Sequence, residues 1–345
     1  MNQNLPRLNR GPREWPTQPY KGFSSYGPND VPLFAGREPQ VVDFARLVGE
    51  PNTQLVLLQG ATGCGKSSFL RAGLIPFLEG RLRGFEFRKE KEEGRPSKAV
   101  FIRSTDEPLQ KLAEETFKLA CEGYSFTSPV GEEQVNLSEA LFNETLMDDF
   151  TRRVINQPSS LVESLRIIAA ALPVILVLIV DQGEEVLSLS SGRDVENRRA
   201  KYFQFLASFA TSNFPLKLII ALRTDHFGVF YNNIRRRSSE RMNIVDYLLE
   251  NLGTSQLLEA IKRPTERRPV LDYPPPDYGF EFDEGLPERI VQDLSKTAEM
   301  GGLVGGNCRY CKWCVRRYTN RRRSVGDRGR LHRKTILSLG RSKHN

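Results

Sequence analysis

The sequence predicts an α/β fold, a parallel sheet flanked by helices and followed by a partial helical region. Three observations predict it. Apolar runs alternate with stretches of helical spacing through much of the chain. One run, Gln54–Leu58 (Q-L-V-L-L), leads into the glycine-rich G-A-T-G-C-G-K-S of Gly60–Ser67. Another, Pro173–Val180, is apolar almost throughout and is followed directly by Asp181.

Each element follows from its pattern. Residues 1–32 are dense in Pro and Gly and predict an extended lead-in. Arg37–Val48 has the spacing of a short amphipathic helix, and Gln54–Leu58 the character of a strand buried in a parallel sheet. After Lys66, Phe69, Leu70, Leu74, Phe77 and Leu78 recur at helical spacing, with Pro76 near the end. Arg81–Lys98 is charged and broken by glycine, as an exposed excursion would be. Ala99–Arg103 predicts a second strand, Leu109–Leu119 a helix, and residues 133–171 mostly helix. Pro173–Val180 predicts a central strand buried on both faces, with a helix near Arg198–Ala210 and a strand at Lys217–Leu222. From Tyr231 the chain reads as more helical, interrupted at Pro274–Pro276. The expected organisation is a lead-in over 1–32, a core over 33–230, a partial helical region over 231–300 and a tail over 301–345.

Composition narrows the class. Five cysteines in 345 residues do not make a disulfide framework. The N-terminal M-N-Q-N-L-P-R-L-N-R has no apolar core and is no signal peptide. The longest apolar run, Ile167–Val180, is 14 residues, too short to span a bilayer. These readings predict a cytoplasmic protein with no membrane partner. The net charge of +8 is local: Cys308–Asn345 holds 13 Lys or Arg against one Asp, leaving −4 on the remainder. Basicity belongs to the tail, so nucleic acid is not an expected partner of the body.

Gly60–Ser67 fits G-x-x-x-x-G-K-[ST], a phosphate-binding loop between strand and helix. Gly60, Gly63 and Gly65 let successive backbone N–H groups point at phosphate oxygens, and the helix N-terminus adds its dipole. Lys66 can reach the β and γ phosphates, and the Ser67 hydroxyl can ligate Mg²⁺. Ser68 completes the set of candidate nucleotide contacts. Asp181, after an apolar strand, is where a Walker B carboxylate holding Mg²⁺ belongs. The Q-G-E-E that starts at Gln182 then offers Glu184 or Glu185 to polarise an attacking water. Arg223, ending L-I-I-A-L-R, is placed to sense a γ-phosphate. No N-K-x-D-like guanine motif is present. L-S-S-G-R at Leu189–Arg193 is a poor ABC signature, on the wrong side of Asp181. No lid or acceptor motif of a small-molecule kinase stands out.

With these blocks in order, the sequence resembles a STAND-class P-loop NTPase, specifically the bacterial novel STAND NTPases. The likeness is carried by P-Y-K-G-F at Pro19–Phe23, L-F-A-G-R-E at Leu33–Glu38, and the phosphate loop continuing into S-F-L-R-A-G-L-I-P. It continues through R-S-T-D-E-P-L at Arg103–Leu109, V-D-Q-G-E-E-V-L, A-L-R-T-D-H-F and L-L-E-A-I-K-R-P-T at Leu257–Thr265. The resemblance covers about residues 19–300. It implies ATP/ADP and Mg²⁺ as cofactors, Gly36 and Arg37 as nucleotide contacts, and Lys66 and Ser67 in the phosphate and metal roles. It also implies Asp181 on Mg²⁺, Glu184 as the preferred water-activating acid, Arg223 as sensor, and Pro264 as a residue that reports the diphosphate state. Gly183 departs from the family's aromatic, which predicts a looser strand end. The family implies a slow ATP-hydrolysing switch in signalling or defence, closed on ADP and assembling into a homo-oligomer on ATP exchange. Sensor and effector partners are expected outside this chain. The rival readings are a binding-only module without turnover and a nucleic-acid-dependent ATPase using the basic tail.

From Gly301 the texture changes. C-R-Y-C-K-W-C at Cys308–Cys314 invites a zinc reading, but the tail offers only His332 and His344 beyond three thiols, at unsuitable spacing. A basic nucleic-acid arm is a second reading. The third uses the genetic code. Reading each codon from the old third base forces Leu at Asn307–Cys308 and again at Tyr310–Cys311. The same shift gives Gln or a stop at Cys311–Lys312 and Val at Trp313–Cys314. The shifted peptide resembles an apolar helix expected there in the family. This predicts a frameshift near residue 305, a disordered tail, and a family region that is truncated at its C-terminus.

Overall fold

The alternating segments form, in a computed structural model, a parallel sheet with helices on both faces. The structure describes residues 16–21, 24–79, 97–121, 124–128, 131–135, 146–172, 174–188, 192–265, 278 and 282–299. Expectations for residues 1–15, most of Arg81–Lys98, Pro274–Pro276 and the whole tail, its cysteines and shifted frame included, lie outside the described residues.

The strands are β1 (Leu55–Gly60), β2 (Ser97–Arg103), β3 (Tyr124–Ser128), β4 (Gly131–Val135), β5 (Ile175–Asp181), β6 (Leu216–Arg223) and β7 (Ile244–Leu248). The helices are α1 (Glu38–Gly49) and α2, which runs as Lys66–Ser68, Phe69–Leu74 and Ile75–Leu78. They continue as α3 (Pro108–Cys121), α4 (Met147–Asn156), α5 (Ser159–Ala171), α6 (Arg193–Thr211), α7 (Thr224–Arg235), α8 (Thr254–Lys262) and α9 (Leu286–Glu299). The middle of α2 is π-helical. Pro76, one turn on, has no N–H to continue a regular ladder. Gly73 lets this helix pack closely, since a Cβ there would lie 2.8 Å from both Phe34 Cε1 and Val41 Cγ2.

Five strands pair in the order β2-β5-β6-β1-β7, every pair parallel. Every residue of β1 is buried, and so are all but the first of β5 and all but the last of β6, as continuous apolar runs in a covered parallel sheet require. Side chains alternate between two layers. Val56, Leu58, Val177, Ile179, Ile219 and Ala221 pack on the side of α1 and α2 with Phe44, Phe69 and Leu70. Leu57, Leu178, Val180, Leu218, Ile220 and Leu222 pack on the opposite layer with residues of α3 to α7. By the same parity, Arg103, Asp181 and Arg223 belong to the α2 side of the sheet, at the C-terminal strand edge where open α/β sheets take ligands.

Three segments differ from expectation. The end of the expected extended lead-in is a short 3-10 helix, Pro28–Leu33, with Asp30–Leu33 buried. Residues 133–171 are not helical from the start: β4 pairs antiparallel with β3, and among the described residues helix begins at Met147. The region after Tyr231 is not only helical, because Ile244–Leu248 (I-V-D-Y-L) lies parallel to β1 as an edge strand. This strand is short and half-exposed, so its apolar signal is weak, and pairing with β1 overrides it. Beyond it, α8 and α9 form a separate small core in which Leu257, Ile261, Leu286, Ile290 and Leu294 surround Tyr20. Among the described residues no helix is long and apolar enough to cross a membrane.

Candidate nucleotide-binding site

The loop after β1 is shaped by its glycines. Gly60 closes the strand, and a Cβ there would stand 2.7 Å from Cys64 Sγ and 2.8 Å from Leu249 O. Gly63 and Gly65 have φ of +79° and +98°, a region that side chains disfavour. The Cys64 N–H donates to Ala61 O at 3.2 Å, and the Phe69 N–H to Gly65 O at 2.8 Å, closing the first helical turn. Ala61–Gly63 and Gly65 are exposed, while Lys66, Ser67 and Ser68 are half-buried. The Lys66 ammonium folds back to donate to Gly60 O (2.7 Å) and Ala61 O (3.1 Å).

The sheet order brings the other candidates to the same edge. β6 lies between β1 and β5, so Arg223 is level with Gly60 on one side, and Asp181 is level with Arg103 on the other. Asp181 is buried. Arg223 is engaged by Asp225 through two bonds, Nε to Oδ1 at 3.0 Å and Nη2 to Oδ2 at 2.6 Å. Their side chains are 42% and 56% exposed, so the pair contributes under about 1 kcal/mol and is readily exchanged for another anion.

The turn after Asp181 is unusual. Gln182 is the non-glycine residue with positive φ (61°) among the described residues, and its side chain accepts a bond from Arg103 Nε at 2.9 Å. Such strain is held where the surroundings over-determine it. Glu184 Oε2 is buried and finds no hydrogen-bond partner among the described residues. Burial raises the Glu185 pKa, the negative charges of Glu184, Asp181 and Asp106 add to the rise, and Arg103 opposes it. A raised pKa moves this carboxyl toward proton-transfer chemistry rather than away from it.

Gly183 does not loosen the strand end. It is buried, and a Cβ there would meet Ile220 Cγ2 at 2.4 Å, so Ile220 closes the space. Gly183→Ala is expected to lower stability by about 1–3 kcal/mol, the cost of overpacking. Denaturant unfolding should show that Gly183→Ala with Ile220→Ala costs less than the two separate losses added together.

Gly36 and Arg37 sit beside the loop, in roles that sequence alone does not reveal. Gly36 has φ +81°, and a Cβ there would lie 2.4 Å from Gln256 O on α8. Arg37, 3% exposed, donates from Nη2 to Cys64 O (2.8 Å) and from Nη1 to Glu250 O (2.7 Å). It braces the phosphate loop against the chain leaving β7. Ser68 is also engaged, its Oγ accepting the Tyr26 N–H at 3.0 Å. The Arg103–Gln182 and Tyr26–Ser68 pairs escape sequence reading. Arg103 at a strand end beside a carboxylate is a signal that could have found the first.

The residues fit a nucleoside phosphate with Mg²⁺. Two left-handed glycines shape a cradle, one lysine is held at its mouth, and a serine and a buried aspartate lie at the same sheet edge. Among the described residues no three His, Cys, Asp or Glu converge as a ligand set. Mg²⁺ is commonly held by one or two protein groups together with substrate phosphates, which Ser67 and Asp181 can provide.

A family model described as Novel STAND NTPase 1 matches residues 19–304. The chain belongs to this family. It is a P-loop NTPase, and nucleotide binding is the property its family implies. No curated protein matches this STAND NTPase in sequence. Solved structures similar to it include the ORC1 protein of Aeropyrum pernix in complex with DNA, at 15% identity and TM-score 0.49, covering 88% of this chain and 64% of that one. The Walker-type ATPase PABY2304 of Pyrococcus abyssi is similar at 17% identity and TM-score 0.49, covering 93% and 76%. The ORC2 protein of Aeropyrum pernix (ADPNP–ADP complexes) is similar at 13% identity and TM-score 0.43, covering 84% and 64%. The STAND NTPase thus spans less than two thirds of the two ORC chains.

Proposed function

We propose that this STAND NTPase binds ATP and ADP with Mg²⁺ and acts as a nucleotide-dependent signalling or defence switch that hydrolyses ATP slowly. The observation that carries the reading is the bracing of the phosphate loop from both flanks. Arg37 joins Cys64 O to Glu250 O, and Gly36 abuts α8, so loop geometry and flanking helices are mechanically linked. In such an arrangement the bound nucleotide biases the arrangement of the flanks, as a switch requires.

In this reading the amides around Gly63 and Gly65 and the Lys66 ammonium bind the phosphates. Ser67 and Asp181 hold Mg²⁺, which when bound neutralises charge across the phosphate oxygens. Glu184 or Glu185 takes a proton from the attacking water. Arg223 moves from Asp225 to the γ-phosphate, an exchange that fits slow turnover. ATP-driven assembly of protomers in the cytoplasm belongs to the same proposal.

Phosphate release by the full chain tests it. Wild type is expected to turn over slowly, and Glu184→Gln to lower the rate about a hundredfold while ATP binding persists. A base works only when deprotonated, so if Glu185 is the base, release rises with pH through a range above that of an ordinary carboxylate. Glu185→Gln would then remove that limb. ATP binding without release in any variant would favour a binding-only module.

A further inference from the structure

The N-terminal segment touches both halves of the molecule. Tyr20, 3% exposed, is packed among Leu257, Ile261, Leu286 and Ile290, and its hydroxyl donates to Ile261 O at 2.5 Å. Six residues on, the Tyr26 N–H donates to Ser68 Oγ at 3.0 Å, and Arg71 Nη1 donates to Ser25 Oγ at 3.2 Å. Ser68 and Arg71, three residues apart in α2, thus both face this segment. Between these anchors the segment ties itself together. The Tyr26 hydroxyl donates to Pro19 O at 3.2 Å. Buried Asp30 accepts the Gly27 N–H at 2.7 Å and pairs with Lys21 Nζ at 2.5 Å.

We infer that Ser68 is a positioning residue at which a strap, Tyr20–Lys21 together with Ser24–Asp30, couples the phosphate helix to the α8–α9 pair and so sets how firmly a nucleoside diphosphate is held. This rests on the nucleotide reading above. The Tyr26 N–H occupies one lone pair of Ser68 Oγ, which orients the hydroxyl and leaves its proton free to donate elsewhere. Ser68 follows the metal-binding candidate Ser67, so a shift of the helix N-terminus on phosphate binding pulls on Tyr26. The bond from Tyr26 to Pro19 O and the pair of Lys21 with Asp30 carry that pull to Tyr20. At Tyr20 the strap enters the small core of α8 and α9. Tyr20 has the chemistry this needs: a ring locked in an apolar core and a hydroxyl on a backbone carbonyl of α8.

The test uses the full chain. Release of N-methylanthraniloyl-ADP and amide hydrogen exchange across Thr254–Lys262 are measured for wild type, Ser68→Ala, Tyr20→Phe and the double variant. Tyr20→Phe keeps the ring in its apolar core and removes the hydroxyl that donates to Ile261 O, so the fold is retained. Each single variant is expected to speed release about three- to tenfold. Each should also speed exchange in α8, which Ser68 does not touch. The double variant should release no faster than the faster single, because both cut one chain of contacts. The inference is overturned if Ser68→Ala speeds release with α8 exchange unchanged and Tyr20→Phe releases like wild type, since Ser68 would then act on the diphosphate alone. If wild type fails to bind the probe, the nucleotide reading falls. The strap is then judged by α8 exchange in Ser68→Ala without nucleotide, and no change there sinks it as well.

Discussion

Lys66→Ala is expected to lower affinity for ATP and ADP by about a hundredfold while leaving the fold almost unchanged. The two effects separate because of what Lys66 touches. Its ammonium donates to Gly60 O and Ala61 O, and Ala61 is exposed, so water can replace these bonds. The net loss of such bonds is about 1 kcal/mol or less. A phosphate, by contrast, loses a charge-assisted bond in a cradle whose other donors are neutral amides, a loss of about 3 kcal/mol, which corresponds to that hundredfold change. Isothermal titration with Mg-ATP and with ADP, paired with a thermal unfolding scan, checks both halves. Affinity within threefold of wild type would mean that Gly60–Ser67 does not seat a nucleotide in this chain. A large fall in melting temperature would mean instead that Lys66 holds the loop together.

The sheet and its site edge were largely legible because both rest on local signals. Leu55–Leu58 and Pro173–Val180 are apolar without interruption, as strands covered on both faces are, and Gln54–Leu58 and Pro173–Val180 fold as β1 and β5 within two residues of the expected bounds. Gly63 and Gly65 were legible because a phosphate loop needs left-handed backbone, and both have it. What was hidden is non-local. Nothing around Ile244–Leu248 announces a strand, since its apolar residues are matched by Asp246 and a half-exposed edge, and β1 supplies the reason for it to extend. Arg37 reads as a nucleotide contact by resemblance, and its bonds to Cys64 and Glu250, 27 and 213 residues away in sequence, are not visible there. Gly183 reads as a lost aromatic until Ile220 from the neighbouring strand fills the place. Spacing along a chain reports an element's own faces, and these three depend on which elements become neighbours.

Arg37→Ala is expected to destabilise the protein by roughly 3–5 kcal/mol, more than any other single change at the site. The side chain is 3% exposed, and two of its nitrogens each donate to a backbone carbonyl. Burial lowers its pKa from the usual arginine value, so the cation sits there at a cost that the carbonyls offset. Hydrogen bonds to charged groups contribute about 1.5–3 kcal/mol each, and cutting the side chain back strands the buried Cys64 O, while Glu250 O, on an exposed residue, is left to water. Lysine is a poor substitute, because one ammonium cannot span carbonyls that the planar guanidinium reaches from two separate corners. Arg37→Lys should therefore recover less than half of the loss in a urea titration. The same variant should weaken ADP binding even at low temperature, where the fold persists, since Cys64 lies within the loop that Gly63 and Gly65 shape. A loss below about 1 kcal/mol in Arg37→Ala would show that water satisfies Cys64 O and Glu250 O, and the flanks would then not be tied to the loop through this residue. A loss of stability with ADP affinity intact would keep the brace and remove its link to the nucleotide, leaving the contact of Gly36 with α8 as the remaining mechanical connection.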